Sequence, residues 1–430
     1  CGNHDTPVHA PSATKKWCQK WFRYLRNHPL TGNQLPRMGT AGLVSSMQMR
    51  GLLATKNYTE GRFEHFDKVN GETLAEEYNI VNKGCLSCPI KCARTVTVEG
   101  EDVKGPELET LGLLGGGILN KDLYHILKWN KELDDLGLDT ISASNTLAYA
   151  MEANERGLWN NGLRFGDVEC ISKIWEDIAF RRGIGNELAE GSKRLSEKYG
   201  GKEFAMQSKG LELAAYEPRR AVGQGLGYAV SNRGGCHLNC GYLVILEGLG
   251  LNIDAQTPHS KADFTMMFQD LMEMISATGQ CLFTSYAFFP GFLITRPNGA
   301  IATAANKLLP HLGWAIRLMN KFPRVLAFHL PVFHHTKMMQ KAVGMPMTFG
   351  KYLQTGERGF NLERAVNVRF GVSAAKDSLP KRLTDVPQDP NDPRTRVPLE
   401  QMKKIYYQAR GWDKSGIPTC RTLKKLKIAR

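Results

Sequence analysis

The chain has 430 residues, 42% of them hydrophobic, enough to bury a large core divided over two or more domains. Its formal charge of +14 is dispersed apart from one basic cluster, Arg421-Thr-Leu-Lys-Lys-Leu-Lys427. That pattern reads as a solvated basic surface in preference to a nucleic-acid site, with an acidic protein partner as a third option. No stretch reaches the roughly 18 uninterrupted apolar residues of a membrane helix; the most apolar run, 286–294, is broken by Pro290 and Gly291. No charged-then-apolar leader opens the chain, and Cys1 in place of Met reads as an internal point of a longer protein.

Taken in chain order, the elements are mostly helical. A strand is expected over 94–98. Asn120 stands where it would cap a helix over 121–134, which Gly137 closes. Asp167 stands before a second helix over 168–182, and a third over 186–199 ends at Gly200-Gly201. A short strand over 204–208 precedes a domain break near Gly210. Apolar residues at helical spacing mark 261–278, stopped by Gly279, and 399–410 repeats the pattern. Between them, 386–398 is rich in Pro and Asp and reads as a surface loop. No internal repeat stands out. The fold class is mainly α, with a tail over 1–12, a helical domain over 13–210 and a helical C-terminal domain over 211–430.

The cysteines carry the strongest chemical signal. Ten in a chain of this length do not resemble a disulfide scaffold, and three fall together as Cys85-x2-Cys88-x3-Cys92. Soft thiolates at this spacing wrap one corner of an iron–sulfur cube. The run lacks the fourth cysteine of bacterial ferredoxins, and paired C-x2-C units of structural zinc are missing. A fourth ligand must come from elsewhere, and Cys281, Cys236 and Cys240 are the candidates. Cys281 follows a glycine turn, Ser276-Ala-Thr-Gly-Gln; Cys236 and Cys240 flank His237 and read as a separate metal site or as core cysteines.

Several segments together resemble the aldehyde ferredoxin oxidoreductase family. They are Gly84-Cys-Leu-Ser-Cys-Pro-Ile-Lys-Cys92, Lys104-Gly-Pro-Glu-Leu-Glu109 and Leu133-Asp-Asp-Leu-Gly-Leu-Asp-Thr-Ile-Ser142. Ala215-Tyr-Glu-Pro-Arg219, Ser231-Asn-Arg-Gly-Gly-Cys-His237 and Asn361-Leu-Glu-Arg-Ala-Val-Asn-Val-Arg369 continue it in order. Arg410-Gly-Trp-Asp-Lys-Ser-Gly-Ile-Pro-Thr419 ends it, so the resemblance covers nearly the whole chain.

The resemblance implies two helical domains, a [4Fe–4S] cluster and a tungsten or molybdenum bis-pterin. It names Cys85, Cys88, Cys92 and Cys281 as cluster ligands. It implies pterin contacts from two D-x-x-G-L-[DC] segments. The first is intact, with Asp134, Gly137, Leu138 and Asp139; carboxylates there suit the N–H-rich edge of a pterin. The second departs, with Ser276 and Gln280 in place of Asp and Leu, while Gly279 is kept. Glu109 and His237 match acid–base or substrate-orienting positions. Lys128 stands where some members place a glutamate that bridges two subunits through a metal, so any homodimer is expected to lack that metal.

The implied activity is oxidation of an aldehyde to a carboxylic acid, with electrons passed to a ferredoxin-like acceptor in the cytoplasm. Members also carry an N-terminal, largely β domain under the pterin, expected here as a missing domain or separate subunit. Two alternatives stand beside this reading. One is a related tungsten reductase of an aromatic acyl thioester. The other is a non-catalytic iron–sulfur electron-transfer subunit.

Overall fold

The computed structural model describes residues 7–322 and 333–428. It is mainly helical, as expected; among the described residues, short strands form one three-stranded and one two-stranded sheet.

The larger sheet builds the cysteine loop. Val81–Lys83 pairs antiparallel with Ala93–Val98, placing Lys83 opposite Ala93, and Glu101–Lys104 pairs on the other side. The expected strand over 94–98 is thus the middle strand, and residues 84–92 are the loop of a hairpin. Inside the loop the Cys88 amide donates to the Cys85 carbonyl at 2.9 Å. Ser87 and Lys91 adopt left-handed backbone at φ 58° and 51°, which doubles the loop back on itself. Glu101–Lys104 then leads almost directly into the helix Leu108–Leu114, which packs on Thr140–Glu155.

Four sequence-derived elements change their bounds. The helix expected over 121–134 is Leu123–Asp135, and its cap is Asp122, whose carboxylate accepts from the Tyr124 amide at 2.9 Å. Asn120 instead accepts from the Asp122 amide at 2.8 Å, one step earlier in the same turn. The helix expected over 168–182 shrinks to Ile171–Ala179 because Asp167 closes a local turn onto the Glu169 amide. The span 186–199 splits into Ile184–Leu188 and Gly191–Tyr199. Its second half begins where the Ser192 amide and hydroxyl both donate to the buried Glu212 carboxylate, a contact that no local pattern announces. The strand over 204–208 reduces to Gln207–Ser208, paired with Leu211–Glu212 across Lys209-Gly210. Both turn residues have positive φ, as a tight two-residue hairpin requires. The span 386–398 carries no helix or strand, as the Pro- and Asp-rich sequence implies.

Two expected helices hold closely, as Lys261–Ala277 and Leu399–Arg410. The first lies at the centre of the C-terminal half, against Phe349–Arg369, Leu399–Arg410, Gly313–Lys321 and Val222–Val230. Its contact with Phe349–Arg369 is backbone-close: a Cβ on Gly356 would stand 1.8 Å from the Asp270 carbonyl oxygen. Buried ion pairs lock these helices together. Asp270 pairs with Arg410, which also reaches the Tyr406 hydroxyl at 3.0 Å. Arg364 forks onto Asp377 at 2.9 and 2.7 Å, and Lys209 and the Tyr407 hydroxyl complete that carboxylate's partners. Charges this deep persist only when so paired.

Candidate active site

The two D-x-x-G-L-[DC] segments prove to be one backbone motif used twice. The helix Leu123–Asp135 ends with the Gly137 amide on the Asp134 carbonyl at 3.1 Å and the Leu138 amide on the Leu133 carbonyl at 2.8 Å. The helix Lys261–Ala277 ends alike, Gly279 bonding Ser276 and Gln280 bonding Ile275, both at 3.1 Å. This is the Schellman ending, which needs a left-handed residue at the glycine. Gly137 (φ 69°) and Gly279 (φ 66°) supply it. The residue that follows starts a new helical segment in each case. Asp139 caps Thr140–Glu155, accepting from the Ser142 amide at 2.8 Å; Cys281 precedes the 3₁₀ segment Leu282–Phe288.

Glu109 sits in the first turn of Leu108–Leu114 and beside the first of these turns, because the Thr110 and Thr140 hydroxyls meet at 3.0 Å. His237 arrives from the glycine-rich segment after Val222–Val230. Its Nε2 stands 3.4 Å from Glu109 Oε1, with both side chains largely buried. Oε1 makes no hydrogen bond among the described residues. A carboxylate oxygen left without a donor at such a wall is poised for an incoming donor.

Three tyrosines to which the sequence reading gave no site role close this wall. The Tyr216 and Tyr242 hydroxyls lie 3.0 Å apart, and Tyr242 stacks on Tyr286 with ring centres 6.1 Å apart. The His237 ring packs at 5.8 Å from Tyr216 and 6.1 Å from Tyr242. Burial pushes Tyr242 up to about 12 and lifts Tyr216 and Tyr286 well above the usual phenol range, with Glu109 adding to each. All three therefore remain neutral hydroxyls at ordinary pH. Tyr242 also holds a left-handed backbone, φ 53°, a strained choice for an aromatic residue. Tyr216 lies inside a segment quoted for the resemblance and Tyr286 opens the most apolar run, but neither takes a place in a site from the sequence.

The fold brings Cys281 to the hairpin loop. Cys92 is pushed up to about 11 by burial, then by Glu107, and then by Cys281 and Cys88 beside it. The Cys281 thiol also rises, first through desolvation; the Phe283 and Thr284 amides oppose this, while Cys88 and Cys85 add to it. All four thiols are free of disulfides. Among the described residues no group of His, Cys, Asp or Glu closes to the spacing of ligands around a single metal ion. Thiols that straddle an inorganic cube stand further apart than that. Arg94 adds a second sign of fit: it is buried, donates to the Cys92 carbonyl at 2.9 Å, and leaves Nε and Nη1 without partners among the described residues. An unspent buried guanidinium beside Cys92 suits an anionic group there.

The pterin positions are less uniform. Asp134, Gly137 and Asp139 are exposed, Leu138 packs on the main core, and a Cβ on Gly137 or Gly279 would meet nothing within 4 Å. The first turn thus presents carboxylates to open space, which fits the edge of a pterin. At the second, Ser276 is exposed, but Gln280 is turned inward to Tyr352 and His335. It offers a hydroxyl where the first offers charge.

Other singled-out residues serve the frame. Cys240 is buried, accepts from Gln224 at 3.1 Å and donates to the His237 carbonyl at 2.9 Å, while Cys236 receives the Asn239 amide at 3.5 Å. Glu217 and Arg219 form a buried pair at 2.8 Å. Asn361 accepts from the Trp412 indole at 2.7 Å, joining two of the quoted segments. Lys128 pairs with Glu99 at 3.7 Å.

Residues 16–428 match the family model described as aldehyde ferredoxin oxidoreductase, domains 2 & 3. The tungsten-containing aldehyde ferredoxin oxidoreductase of Thermococcus kodakarensis is 37% identical over 407 residues, 91% of this chain and 60% of that protein. Its counterpart from Pyrococcus furiosus is 37% identical over 421 residues, 94% and 62% of the two lengths. Among solved structures, the active-site complex BamBC of benzoyl coenzyme A reductase in complex with 1,5-dienoyl-CoA aligns at TM-score 0.69 and 19% identity. That alignment covers 99% of this chain and 66% of the other, and at such identity it speaks to fold alone.

The matches place the chain among proteins named as oxidoreductases. More narrowly, it belongs to the aldehyde ferredoxin oxidoreductase family and carries that family's domains 2 and 3, spanning 60% and 62% of the two relatives' lengths.

Proposed function

We propose that this chain forms the acid–base and electron-relay part of a tungsten- or molybdenum-pterin enzyme that oxidises an aldehyde to a carboxylic acid. The observation that carries this reading is the half-buried Glu109–His237 pair, 3.4 Å apart, with one carboxylate oxygen free of hydrogen bonds among the described residues. When bound, the pterin-held metal supplies two-electron oxidation and the [4Fe–4S] cluster supplies one-electron relay.

The chain's own residues do the rest. Glu109 Oε1 accepts the proton released as water adds to the aldehyde carbon. His237 Nε2 faces the same space and orients the carbonyl oxygen. Tyr216, Tyr242 and Tyr286, held protonated by burial, wall off water and keep the His237 ring in place. Asp134, Gly137 and Asp139 hold one pterin, with Leu138 packed on the core behind them; Ser276 and Gly279 line the other, while Gln280 is turned inward and does not reach it. Cys85, Cys88, Cys92 and Cys281 hold the cluster at an exposed loop, where Leu86 is 99% exposed and within reach of a ferredoxin-like acceptor. A further domain or subunit completes the pterin site, and Lys128 makes any homodimer one without a bridging metal. The setting is cytoplasmic; no helix among the described residues is long and apolar enough to cross a membrane.

Metal and pterin analysis of the protein from its native source, joined to an aldehyde-dependent viologen assay, tests the reading. Glu109→Gln is expected to lower turnover by about 10²–10⁴-fold with tungsten and iron retained. Iron without tungsten, molybdenum or pterin would favour the electron-transfer alternative. Acyl-thioester reduction without aldehyde oxidation would favour the reductase.

A further inference from the structure

The Cys281 turn is exposed, yet its flanking residues are tied to one buried point. The Thr284 hydroxyl and amide both reach the Cys281 carbonyl oxygen, at 2.5 and 3.2 Å. The same hydroxyl lies 2.9 Å from His335 Nε2. On the other side of Cys281, the Gln280 side chain donates to the His335 carbonyl at 3.4 Å and accepts from the Tyr352 hydroxyl at 2.8 Å. Two routes, one from each flank, therefore converge on residue 335.

Proton counting fixes the direction of the first route. A hydroxyl has one hydrogen, and Thr284 spends it on the Cys281 carbonyl. His335 Nε2 must then carry the hydrogen and donate to Thr284. The ring is 1% exposed, stacked on Phe333 with centres 4.5 Å apart and edged by Trp21 at 5.0 Å. Burial, then neighbouring His334, push it down to about 3, so it is the neutral donor that this pattern needs. Its Nδ1 finds no partner among the described residues. A histidine kept neutral, with one nitrogen unsatisfied, contributes little packing that a phenylalanine would not; what it adds is the Nε2 donor.

Gln280 fits the same purpose. In the first Schellman turn the equivalent position is Leu138, which packs on the core. In the second, the glutamine exchanges that apolar contact for bonds to His335 and Tyr352.

We infer that Gln280 and Thr284, both anchored on His335, form a clamp that positions the Cys281 sulfur relative to Cys85, Cys88 and Cys92. The inference rests on the cluster assignment proposed above. His335 is a positioning residue, acting through Thr284 and the Cys281 peptide on the ligand itself.

The test uses the intact protein, purified without oxygen, with His335→Phe, His335→Gln, Thr284→Val and Thr284→Ser compared. Iron and sulfide per chain, the paramagnetic resonance spectrum of the reduced cluster, its midpoint potential and iron loss to a chelator are measured. His335→Phe and Thr284→Val are expected to shift the potential, alter the spectrum and speed iron loss several-fold at unchanged helical content. His335→Gln and Thr284→Ser, which keep a donor, return these readouts toward wild type. If His335→Phe fails to fold, Thr284→Val alone decides. Iron-loaded wild type with spectrum, potential and iron loss unchanged in the Phe and Val variants overturns the clamp but leaves the cluster assignment standing. Wild type without iron overturns both.

Discussion

The turns at 134–139 and 276–281 share a backbone and differ in what hangs from it. Each ends a long helix with the same pair of hydrogen bonds, sets a glycine in left-handed space and places the N-cap of a new helical segment two residues later. The first carries carboxylates and a leucine sealed against the core. The second carries a hydroxyl, a glutamine bonded to another helix and a thiol aimed at a distant hairpin loop. One motif thus presents two chemistries, because Schellman geometry constrains only the glycine and the apolar or polar contact after it.

Cys281→Ser breaks the comparison most severely. On the cluster assignment proposed above it removes a soft ligand from the second turn, and iron per chain is expected to fall below four with loss of the reduced-cluster signal, whereas Asp139→Ser leaves iron intact. Iron analysis of both variants distinguishes the turns directly. Next in size is the anchoring of the helices that lead into them. Lys261–Ala277 is pinned by the buried Asp270–Arg410 pair, so Asp270→Ala leaves a buried guanidinium without its carboxylate. A loss of about 3–5 kcal/mol is expected in denaturant unfolding. No ion pair of this depth holds the helix Leu123–Asp135 among the described residues.

The shared backbone predicts equal effects. Gly137→Ala and Gly279→Ala each place a methyl in open space at positive φ. Each is expected to cost about 1–2 kcal/mol from backbone strain alone, and unequal melting shifts would show that the turns are not equivalent.

The smallest effect concerns pH. Burial, then the Glu363 carboxylate, push Glu273 up to about 7 from 4.5, partly opposed by Arg410. The folded protein holds this proton more tightly than the unfolded chain. Its contribution is therefore fully present below about 4.5 and is lost as pH rises through about 7. Glu273→Gln is expected to melt like wild type at acid pH and a little higher in mild alkali, as scanning calorimetry would record.

Several features were legible in the residues because their causes are local. A Schellman turn closes within six residues, so Gly137 and Gly279 mark it without knowledge of the fold. The hairpin loop likewise declares Cys85, Cys88 and Cys92 by spacing. Lys261–Ala277 and Leu399–Arg410 show one-sided apolar periodicity and were read nearly to the residue. The helix Thr140–Glu155 left no such trace, because it is buried at every position over 143–153 and has no polar face. Val222–Val230 hid behind three glycines, which propensity penalises but close packing requires: a Cβ on Gly227 would lie 2.6 Å from the Cys240 carbonyl oxygen.

The sequence by itself determined the class of elements, the two glycine turns and the close spacing of three thiols, since each follows from hydrogen bonds or residue spacing within a short stretch. Tertiary structure decided the rest. It brought Cys281 to the hairpin loop, set Glu109 against His237, gathered Tyr216, Tyr242 and Tyr286 around them and turned Gln280 inward. Those outcomes depend on which buried surfaces exclude water together, and no short stretch of residues encodes that.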